Sequence, residues 1–427
     1  METIFAVSSG APPAAIAVLR LSGPAAFRAA EALSGALPPS RTAAVRKLCD
    51  PATGALLDRA LVLVFPGARS ATGEDLAELH LHGGRAVVRA VEAVLTAMPG
   101  LRPAEPGEFT RRALANGRID LTEAEGLGDL LMAETEAQRR AALLSAEGGL
   151  RQRVAGWTHA LLGLSAAIEA LLDHGDEDDV ASGAESLATL QHGATVLANE
   201  IDILLAQPPV ERLRDGIRVV LAGPPNAGKS TLLNAMADRD AAIVSPVAGT
   251  TRDRIEVPVV RNGIAWLLID TAGLAEATAD AVEAIGIERA QQAIAAADVV
   301  LWLGDDAPPA RAIALHARAD APGRDRVPPG RIAVSALSGA GLDRLWERLT
   351  ISAKDLLPSL DLPALNRRQR DLAATAAYAL RLAADERDEL LFAEHLRVAR
   401  GAFDRLTGAA DVESLLDALF GRFCIGK

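Results

Sequence analysis

The sequence has few aromatic side chains and almost no cysteine. Only 3% of its 427 residues are aromatic, namely eight Phe, four Trp and one Tyr. The two thiols, Cys49 and Cys424, lie far apart and form no C-x-x-C pair. This pattern suggests neither a disulfide framework nor a zinc site. We therefore expect a protein of a reducing compartment.

Positive charge is also in deficit. Lys and Arg number 44 against 56 Asp and Glu, which gives a net charge of −12. Free-standing nucleic-acid binders tend to be cationic, so the chain as a whole does not fit that class. Charges more than roughly 8 Å apart are largely screened at physiological salt. Any nucleic acid must therefore meet a local basic face or a partner protein.

Targeting signals and long apolar runs are missing as well. Residues 1–10 have neither a basic region nor an apolar core of the signal-peptide type, and no apolar run reaches the roughly 18 residues that cross a bilayer. We expect a soluble cytoplasmic protein with no membrane segment. Half of the residues are hydrophobic, which excludes wholesale disorder. At roughly 150 residues per domain, the length predicts about three domains.

The N-terminal part is rich in strand patterns. Apolar or alternating runs at Ala15–Leu21, Ala60–Phe65 and Leu76–Leu81 are separated by glycine-containing turns. From Leu114 to about Ala206 the apolar residues recur at a helical period instead. These two sequence patterns predict an α+β domain followed by a helical domain.

A third sequence pattern follows the predicted helix break at Gln207-Pro208-Pro209. Strand-like runs alternate here with helical stretches such as Ala281–Ala297. Such alternation is typical of a parallel α/β sheet. The strand-like runs are Ile217–Ala222, Ala265–Ile269, Val299–Leu303 and Ile332–Val334. A helical period returns from Asn366 to Phe423. The α/β unit is therefore predicted to be inserted into a discontinuous helical domain.

A phosphate-binding motif marks the start of the α/β unit. Residues 223–230 read G-P-P-N-A-G-K-S, matching G-x-x-x-x-G-K-[ST] between a strand and a helix. Backbone N–H groups of such a loop bind phosphate, Lys229 reaches the outer phosphates, and Ser230 supplies a hydroxyl to Mg²⁺.

Further motifs favour GTP over ATP. Residues 249–253 (G-T-T-R-D) form a polar loop in which a threonine can join the Mg²⁺ shell. Residues 270–273 (D-T-A-G) follow a strand and place Asp270 near the metal, and residues 335–337 (S-A-L) follow another strand where the guanine base packs. This order predicts a Ras-like GTPase.

The guanine-reading motif is incomplete. The best match to N-K-x-D is A-R-A-D at residues 317–320, which keeps Asp320 and replaces the Asn by Ala317. Asp320 is expected to accept hydrogens from the guanine base, so the missing Asn should mainly cost affinity. The segment 304–311 is too short for a helical crossover, which usually needs a dozen or more residues. We predict that this helix is deleted.

The usual water-orienting glutamine is also missing, because Leu274 follows D-T-A-G. Glu283 is close in sequence and can take that role. A solvated helix carboxylate is the alternative that sequence alone favours.

Taken together, these motifs resemble one family, the tRNA-modification GTPase MnmE, also called TrmE. Further matching segments are I-A-V-L-R-L-S-G at 16–23, T-G-E-D at 72–75, H-G-G at 82–84, P-G-E-F-T at 106–110, I-G-I-E-R at 285–289 and F-C-I-G-K at 423–427. The resemblance covers essentially the whole chain, and the terminal F-C-I-G-K is its most specific feature.

The resemblance implies a multidomain α/β and α protein. Its parts would be an α+β folate-binding-like dimerisation domain at 1–117, a discontinuous α-helical domain at 118–209 and 350–427, and an inserted Ras-like P-loop GTPase domain with a parallel sheet at 210–349.

Site residues are carried over by motif. The folate site, which takes 5-formyl- or methylene-tetrahydrofolate, would comprise Arg20, Glu78, Arg118 (Lys in most relatives) and Lys427. Cys424 is a candidate for chemistry near the folate, and a small buried hydrophobe is the equal alternative. GTP would contact Asn226, Ala227, Gly228, Lys229, Ser230, Thr231, Ser245, Pro246, Val247, Ala248, Gly249, Thr250, Thr251, Asp270, Thr271, Ala272, Gly273, Asp320, Ser335, Ala336 and Leu337.

Two cations are implied. Mg²⁺ would be held by Ser230 and Thr251, and K⁺ by Asn226, Ser245, Val247 and Thr250 when two G domains meet. The K⁺ would act where other GTPases use an arginine finger, an effect worth roughly 10³ to 10⁵ in kcat. Glu283 aligns with the family's water-positioning glutamate. Ala275 stands where the family commonly has Arg, so any contribution of that side chain is absent.

The family acts with an FAD-dependent partner, MnmG. The resemblance therefore implies a homodimer, a heterotetramer with MnmG, and addition of an aminomethyl or carboxymethylaminomethyl group at C5 of the wobble uridine of certain tRNAs. The alternatives are a folate-independent regulatory GTPase of ribosome assembly and a folate-binding scaffold that no longer hydrolyses GTP.

Overall fold

The structure is a computed structural model of the chain. It describes residues 2–174, 180–238, 256–271, 291–410, 416, 419–421, 423 and 425–426. The chain forms two compact units. Unit 1 contains residues 1–128, 145–155 and 403–427, and unit 2 contains residues 129–144 and 156–402.

Unit 1 is built on a six-stranded sheet. Its strands are β1 (Thr3–Val7), β2 (Ile16–Ser22), β3 (Ala44–Cys49), β4 (Leu56–Phe65), β5 (Leu76–His82) and β6 (Leu101–Pro103), in the order β3-β4-β5-β2-β1-β6. All neighbours are antiparallel except β1 and β6, which are parallel. The strand patterns read from the sequence in this region are therefore confirmed.

Each strand of this sheet alternates between two faces. One face is apolar and packs against helices α1 (Ala26–Ser34) and α2 (Arg85–Ala97). On the other face, Ile4 and Ala6 of β1 pack with Phe109 of helix α3 (Glu108–Ala115). Arg20 and Glu78 belong to this second face, beside α3.

The C-terminal tail returns to this sheet. Ile425 forms a β-bridge with Pro106, and the hydroxyl of Ser8 donates to the carbonyl of Gly426 at 2.8 Å. A Cβ on Gly426 would lie 2.2 Å from the carbonyl oxygen of Val7, and its φ is +98°. Only glycine fits there.

Helices dominate the next part of the chain. They are α4 (Leu121–Leu131), α5 (Glu136–Ala146), α6 (Gly149–His174), α7 (Val180–Leu205), the single turn α8 (Glu211–Arg214) and, later, α11 (Arg367–Asp385) and α12 (Glu389–Thr407). Within unit 2, α7 packs along α11. A capping box between Asn366 and Gln369 fixes the start of α11, an arrangement worth about 1 kcal/mol.

Among the residues that the structure describes, one helix has the length and apolar composition of a membrane span, although the sequence shows no uninterrupted apolar run of roughly 18 residues. Gly149–Asp173 reaches a mean hydropathy of 1.3 over its most apolar window. A single helix of this kind does not establish a membrane span, because the core helix of a water-soluble protein passes the same test.

A second six-stranded sheet lies in unit 2 and carries the predicted phosphate loop. Its strands are β7 (Ile217–Ala222), β8 (Glu256–Arg261), β9 (Ile264–Asp270), β10 (Val299–Trp302), β11 (Ile313–Ala317) and β12 (Ile332–Val334), in the order β12-β11-β10-β7-β9-β8. Only β8 is antiparallel to its neighbour, so the sheet is mixed rather than purely parallel. Helices α9 (Lys229–Asp238) and α10 (Leu342–Leu356) cover one face and share its apolar core.

The connection from β10 to β11 contains no helix. Trp302 ends β10, Ile313 begins β11, and the residues between them are irregular although the two strands are parallel neighbours. The predicted deletion is therefore confirmed. The backbone of this connection, residues 303–312, is the crossover loop.

Candidate nucleotide site

The phosphate loop, residues 223–230, joins the central strand β7 to helix α9. Gly223 has φ +148°, and a Cβ there would lie 3.1 Å from the backbone nitrogen of Gly304. The loop therefore rests directly on the start of the crossover loop. Helix α9 begins at Lys229, so its N-terminus faces the loop, which favours a bound anion.

The side chain of Lys229 is enclosed by the phosphate loop. Its Nζ donates to the carbonyls of Gly223 at 3.0 Å and Pro224 at 2.9 Å, and the residue is 6% exposed. Burial lowers the pKa of Lys229, and Asp270 partly opposes that shift. The ammonium group is thus held where the phosphates of a nucleotide would meet it.

The side-chain oxygens of two residues meet at the end of β9. Ser230 donates a hydrogen bond from its hydroxyl to the carboxylate of Asp270, which is buried. Thr271 is held by its own hydroxyl, which donates to the carbonyl of Leu221 at 2.8 Å. A hydroxyl and a carboxylate are the hard oxygen donors that Mg²⁺ prefers, so these residues fit the metal.

A cavity of about 470 Å³ opens beside the loop. It brings together three segments that are distant in sequence: the phosphate loop with α9, the turn after β11, and the loop after β12. Its lining residues are Asn226, Ala227, Gly228, Thr231, Leu232, Ala317, Arg318, Asp320, Ala321, Pro322, Val334, Ala336 and Leu337. Such a volume is ordinary for a small-molecule site.

The turn that the sequence predicts to read the base, residues 317–320, contributes Ala317, Arg318 and Asp320 to the lining of this cavity and is called the base-reading turn. Ala317 is buried at the end of β11, and Asp320 lines the cavity with Ala336 and Leu337. Ser335 is buried and takes a different role, because its hydroxyl accepts from the backbone of Ser338 at 3.1 Å. Sequence reasoning did not place Ala321 and Pro322 in the site, since no motif letter marks them, and it noted Arg318 only as the residue at the Lys position of N-K-x-D.

Several predicted site residues lie outside the described residues. They are Ser245, Pro246, Val247, Ala248, Gly249, Thr250, Thr251, Ala272, Gly273, Glu283, Cys424 and Lys427. Their roles stay predictions.

Two predicted folate residues face each other in unit 1. Arg20 on β2 and Glu78 on β5 are register partners, and Nε and Nη2 of Arg20 donate to Oε1 of Glu78 at 3.1 and 2.9 Å. His80 approaches the other carboxylate oxygen at 3.3 Å, and the Arg20 guanidinium lies 5.9 Å from the ring centroid of Phe109. Arg118 is exposed and its stem passes the turn at Gly73. A half-buried carboxylate beside a cation suits a ligand with both hydrogen-bond donors and acidic groups.

A buried ionic cluster in unit 1 was not foreseen. Glu108 accepts from Arg102 at 2.7 and 2.8 Å and from Arg112 at 3.0 Å, and Arg112 also donates to Glu74. Burial alone would raise the pKa of Glu108, but these hydrogen bonds together with one from the backbone of Glu105 lower it to about 2. The cluster joins the T-G-E-D and P-G-E-F-T segments.

Comparison with known proteins gives two family matches. Residues 3–118 match the model described as the GTP-binding protein TrmE N-terminus, and residues 121–424 match the MnmE helical domain. The second match alone covers more than half of the chain.

Similar proteins cover the full length. One from Erythrobacter litoralis named tRNA modification GTPase MnmE is 55% identical over 100% of both chains. A protein of the same name from Rhizorhabdus wittichii is 57% identical over 100% of this chain and 97% of its own. Among solved structures, the G domain of the T. maritima FeoB iron transporter aligns with 32% of this chain and 98% of its own, at 23% identity and a TM-score of 0.24.

Proposed function

This chain belongs to the MnmE family of tRNA modification GTPases, and from that premise we propose that it hydrolyses GTP in a K⁺-stimulated reaction that drives modification of the wobble uridine at C5. The group added would be aminomethyl or carboxymethylaminomethyl. The single observation that best supports nucleotide hydrolysis is the cavity between the phosphate loop and Asp320, next to the contact between Ser230 and Asp270.

The phosphate loop supplies the binding chemistry. Backbone N–H groups from Asn226 to Thr231 would surround the phosphates, and Lys229 would exchange its two loop carbonyls for phosphate oxygens. Ser230 and Asp270, with Thr251 predicted from sequence, would hold Mg²⁺. When bound, Mg²⁺ neutralises charge on the phosphates.

Hydrolysis itself requires an oriented water. Its oxygen forms a bond to the γ-phosphorus while the bond to the β–γ bridging oxygen breaks, and GDP leaves. Glu283 is proposed to orient this water, since Leu274 cannot. K⁺ is proposed to bind Asn226 with Ser245, Val247 and Thr250 when two G domains associate.

The N-terminal part is proposed to bind a tetrahydrofolate derivative through Arg20, Glu78, Arg118 and Lys427. The carboxylate of Glu78 would accept from the donor edge of the pterin, and the cations would meet the glutamate tail. Bound folate supplies the carbon. Cys424 is proposed as a nucleophile near it.

The proposed assembly is cytoplasmic. It is a homodimer through the N-terminal domain, joined by MnmG in a heterotetramer that acts on tRNA. We also propose the domain limits 1–117, 118–209 with 350–427, and 210–349.

A deletion strain tests this function. We expect mass spectrometry of its tRNA nucleosides to show loss of the C5 modification at the wobble uridine, and the wild-type gene to restore it. Lys229→Ala should not restore it, whereas Lys354→Ala, an exposed lysine of the same unit, should.

Two outcomes favour the alternatives. Unchanged tRNA together with defective ribosome assembly would indicate a ribosome-assembly GTPase. Full restoration by Lys229→Ala would indicate a folate-binding scaffold that needs no hydrolysis.

A further inference from the structure

The base-reading turn lacks a side-chain anchor at its first residue. Ala317 is buried and its methyl group makes no hydrogen bond. Two backbone bonds stabilise the turn, from Ala319 N to Val334 O at 3.1 Å and from Ala321 N to Arg318 O at 2.9 Å. Arg318 has φ +55°, a conformation that costs a non-glycine residue roughly 1 kcal/mol. Further support for the turn comes from two side chains beside it.

His316 and Arg324 provide it from both sides. His316 directly precedes the turn and is buried, and its Nε2 donates to the carbonyl of Arg324 at 2.8 Å. In return, Nη2 of Arg324 lies 3.3 Å from Nδ1 of His316. These two contacts join the ends of segment 316–324.

Asp305 connects this segment to the crossover loop. Its two carboxylate oxygens accept from Nη2 and Nη1 of Arg324 at 2.8 and 3.0 Å. This hydrogen bonding lowers the pKa of Asp305. A bidentate pair fixes the orientation of both groups as well as their distance.

The crossover loop is itself held firmly. Arg331 donates to the carbonyls of Gly304 and Leu315, and to those of Asp305 at 3.0 Å and Asp306 at 2.5 Å. Gly304 also packs under Gly223 of the phosphate loop. One continuous set of contacts therefore runs from the phosphate loop through Asp305 and Arg324 to the turn.

We propose that Asp305 and Arg324 are positioning residues for base recognition. Their pair orients the turn so that the carboxylate of Asp320 meets the N1 hydrogen and the exocyclic amino group of guanine. The proposal rests on the proposed role of Asp320 as the base reader.

A comparison of GTP with inosine triphosphate, which lacks the exocyclic amino group, measures this positioning directly. For the full-length protein we expect Arg324→Gln and Asp305→Asn each to lower the ratio of kcat/KM for GTP to that for inosine triphosphate, by roughly threefold to tenfold. The loss should be mainly in KM. The double variant should lose no more than the worse single variant, because both changes break one contact.

Arg261→Gln is the matched control. Arg261 pairs with Asp343 at 3.0 Å, with exposures of 22% and 79%, against 25% and 67% for Arg324 and Asp305. It lies on β8, at the opposite edge of the sheet from β11 and β12. The Arg261→Gln variant should keep the wild-type ratio of kcat/KM for GTP to that for inosine triphosphate.

Asp320→Asn separates the two levels of the proposal. If this change shifts preference toward xanthosine triphosphate while Arg324→Gln and Asp305→Asn keep the wild-type ratio, the positioning role is overturned and the base reader stands. If Asp320→Asn causes no shift, the base reader itself is wrong. Equal losses for GTP and inosine triphosphate in the two pair variants would also overturn the proposal, since they would show a purely structural pair.

Discussion

Arg20 donates two hydrogen bonds to a single oxygen of Glu78, so two residues expected to bind folate are bonded to each other. The second oxygen of Glu78 faces His80 at 3.3 Å. A pterin that binds Glu78 must therefore compete with, or add to, an existing pair. Such a preformed pair orients the carboxylate before the ligand arrives, which lowers the ordering cost of binding.

Glu78→Gln should weaken binding of 5-formyl-tetrahydrofolate by roughly tenfold to a hundredfold, because a charged acceptor is replaced by a neutral one. Isothermal titration calorimetry measures this. Asp58→Asn is the control, since Asp58 on neighbouring β4 similarly accepts from a histidine, His82, at 2.7 Å. Equal affinity in wild type and Glu78→Gln would remove Glu78 from the folate site.

Replacing K⁺ by Na⁺ should slow GTP hydrolysis sharply, and Asn226→Ala should remove most of that cation dependence. The physical reason is that K⁺ is proposed to supply the transition-state charge that an arginine finger gives elsewhere. Phosphate release at matched ionic strength measures the rate. An equal rate of hydrolysis in K⁺ and in Na⁺ would exclude the proposed role of Asn226 in binding K⁺.

Glu283→Ala should lower kcat while leaving nucleotide affinity nearly unchanged, because a water-orienting group acts in the transition state rather than in binding. Single-turnover hydrolysis and fluorescent GDP titration separate the two quantities. A parallel loss of GDP affinity would instead assign Glu283 to the structure of the domain.

Glu108→Gln should destabilise unit 1 near neutral pH, and the deficit relative to wild type should shrink as the pH falls. The folded pKa of about 2 lies below the unfolded value of 4.5. The stabilisation is therefore complete above pH 4.5 and is lost as the pH falls toward 2. At about 1.4 kcal/mol per pKa unit it is on the order of 3 kcal/mol.

Hydrogen exchange of peptides across residues 101–116 measures this difference. Tryptophan fluorescence cannot, because all four tryptophans, at 157, 266, 302 and 346, belong to unit 2. Glu2→Gln is the matched control, since Glu2 binds the same Arg102 but is 64% exposed. A pH-independent deficit for Glu108→Gln would contradict the proposed ionic stabilisation.

The parts of the fold that depend on local pattern could be predicted from sequence. The strands Ile217–Ala222 and Ile332–Val334 have the expected bounds, because an apolar run between turn residues is a local signal. The helix-free crossover was also predictable, since it depends only on chain length between two strands. The same holds for the phosphate loop, whose motif is contiguous.

Contacts between distant polar residues could not be predicted in this way. Arg331 meets carbonyls 16 to 27 residues away, and Arg324 meets Asp305 across 19 residues. Irregular loops carry no period that would pair such residues in advance. The ionic cluster around Glu108 could not be predicted for the same reason, although the P-G-E-F-T motif that contains Glu108 was recognised in the sequence.

The bond between Ser8 and Gly426 spans 418 residues, and this has a consequence for synthesis on the ribosome. The first strand of unit 1 emerges early, whereas Gly426, which binds just after its end, is translated 418 residues later than Ser8. Unit 1 therefore gains this contact only after the intervening unit 2 has been made and is free to fold. A nascent chain that stalls before the tail would carry a foldable nucleotide-binding sheet and an incompletely closed N-terminal sheet.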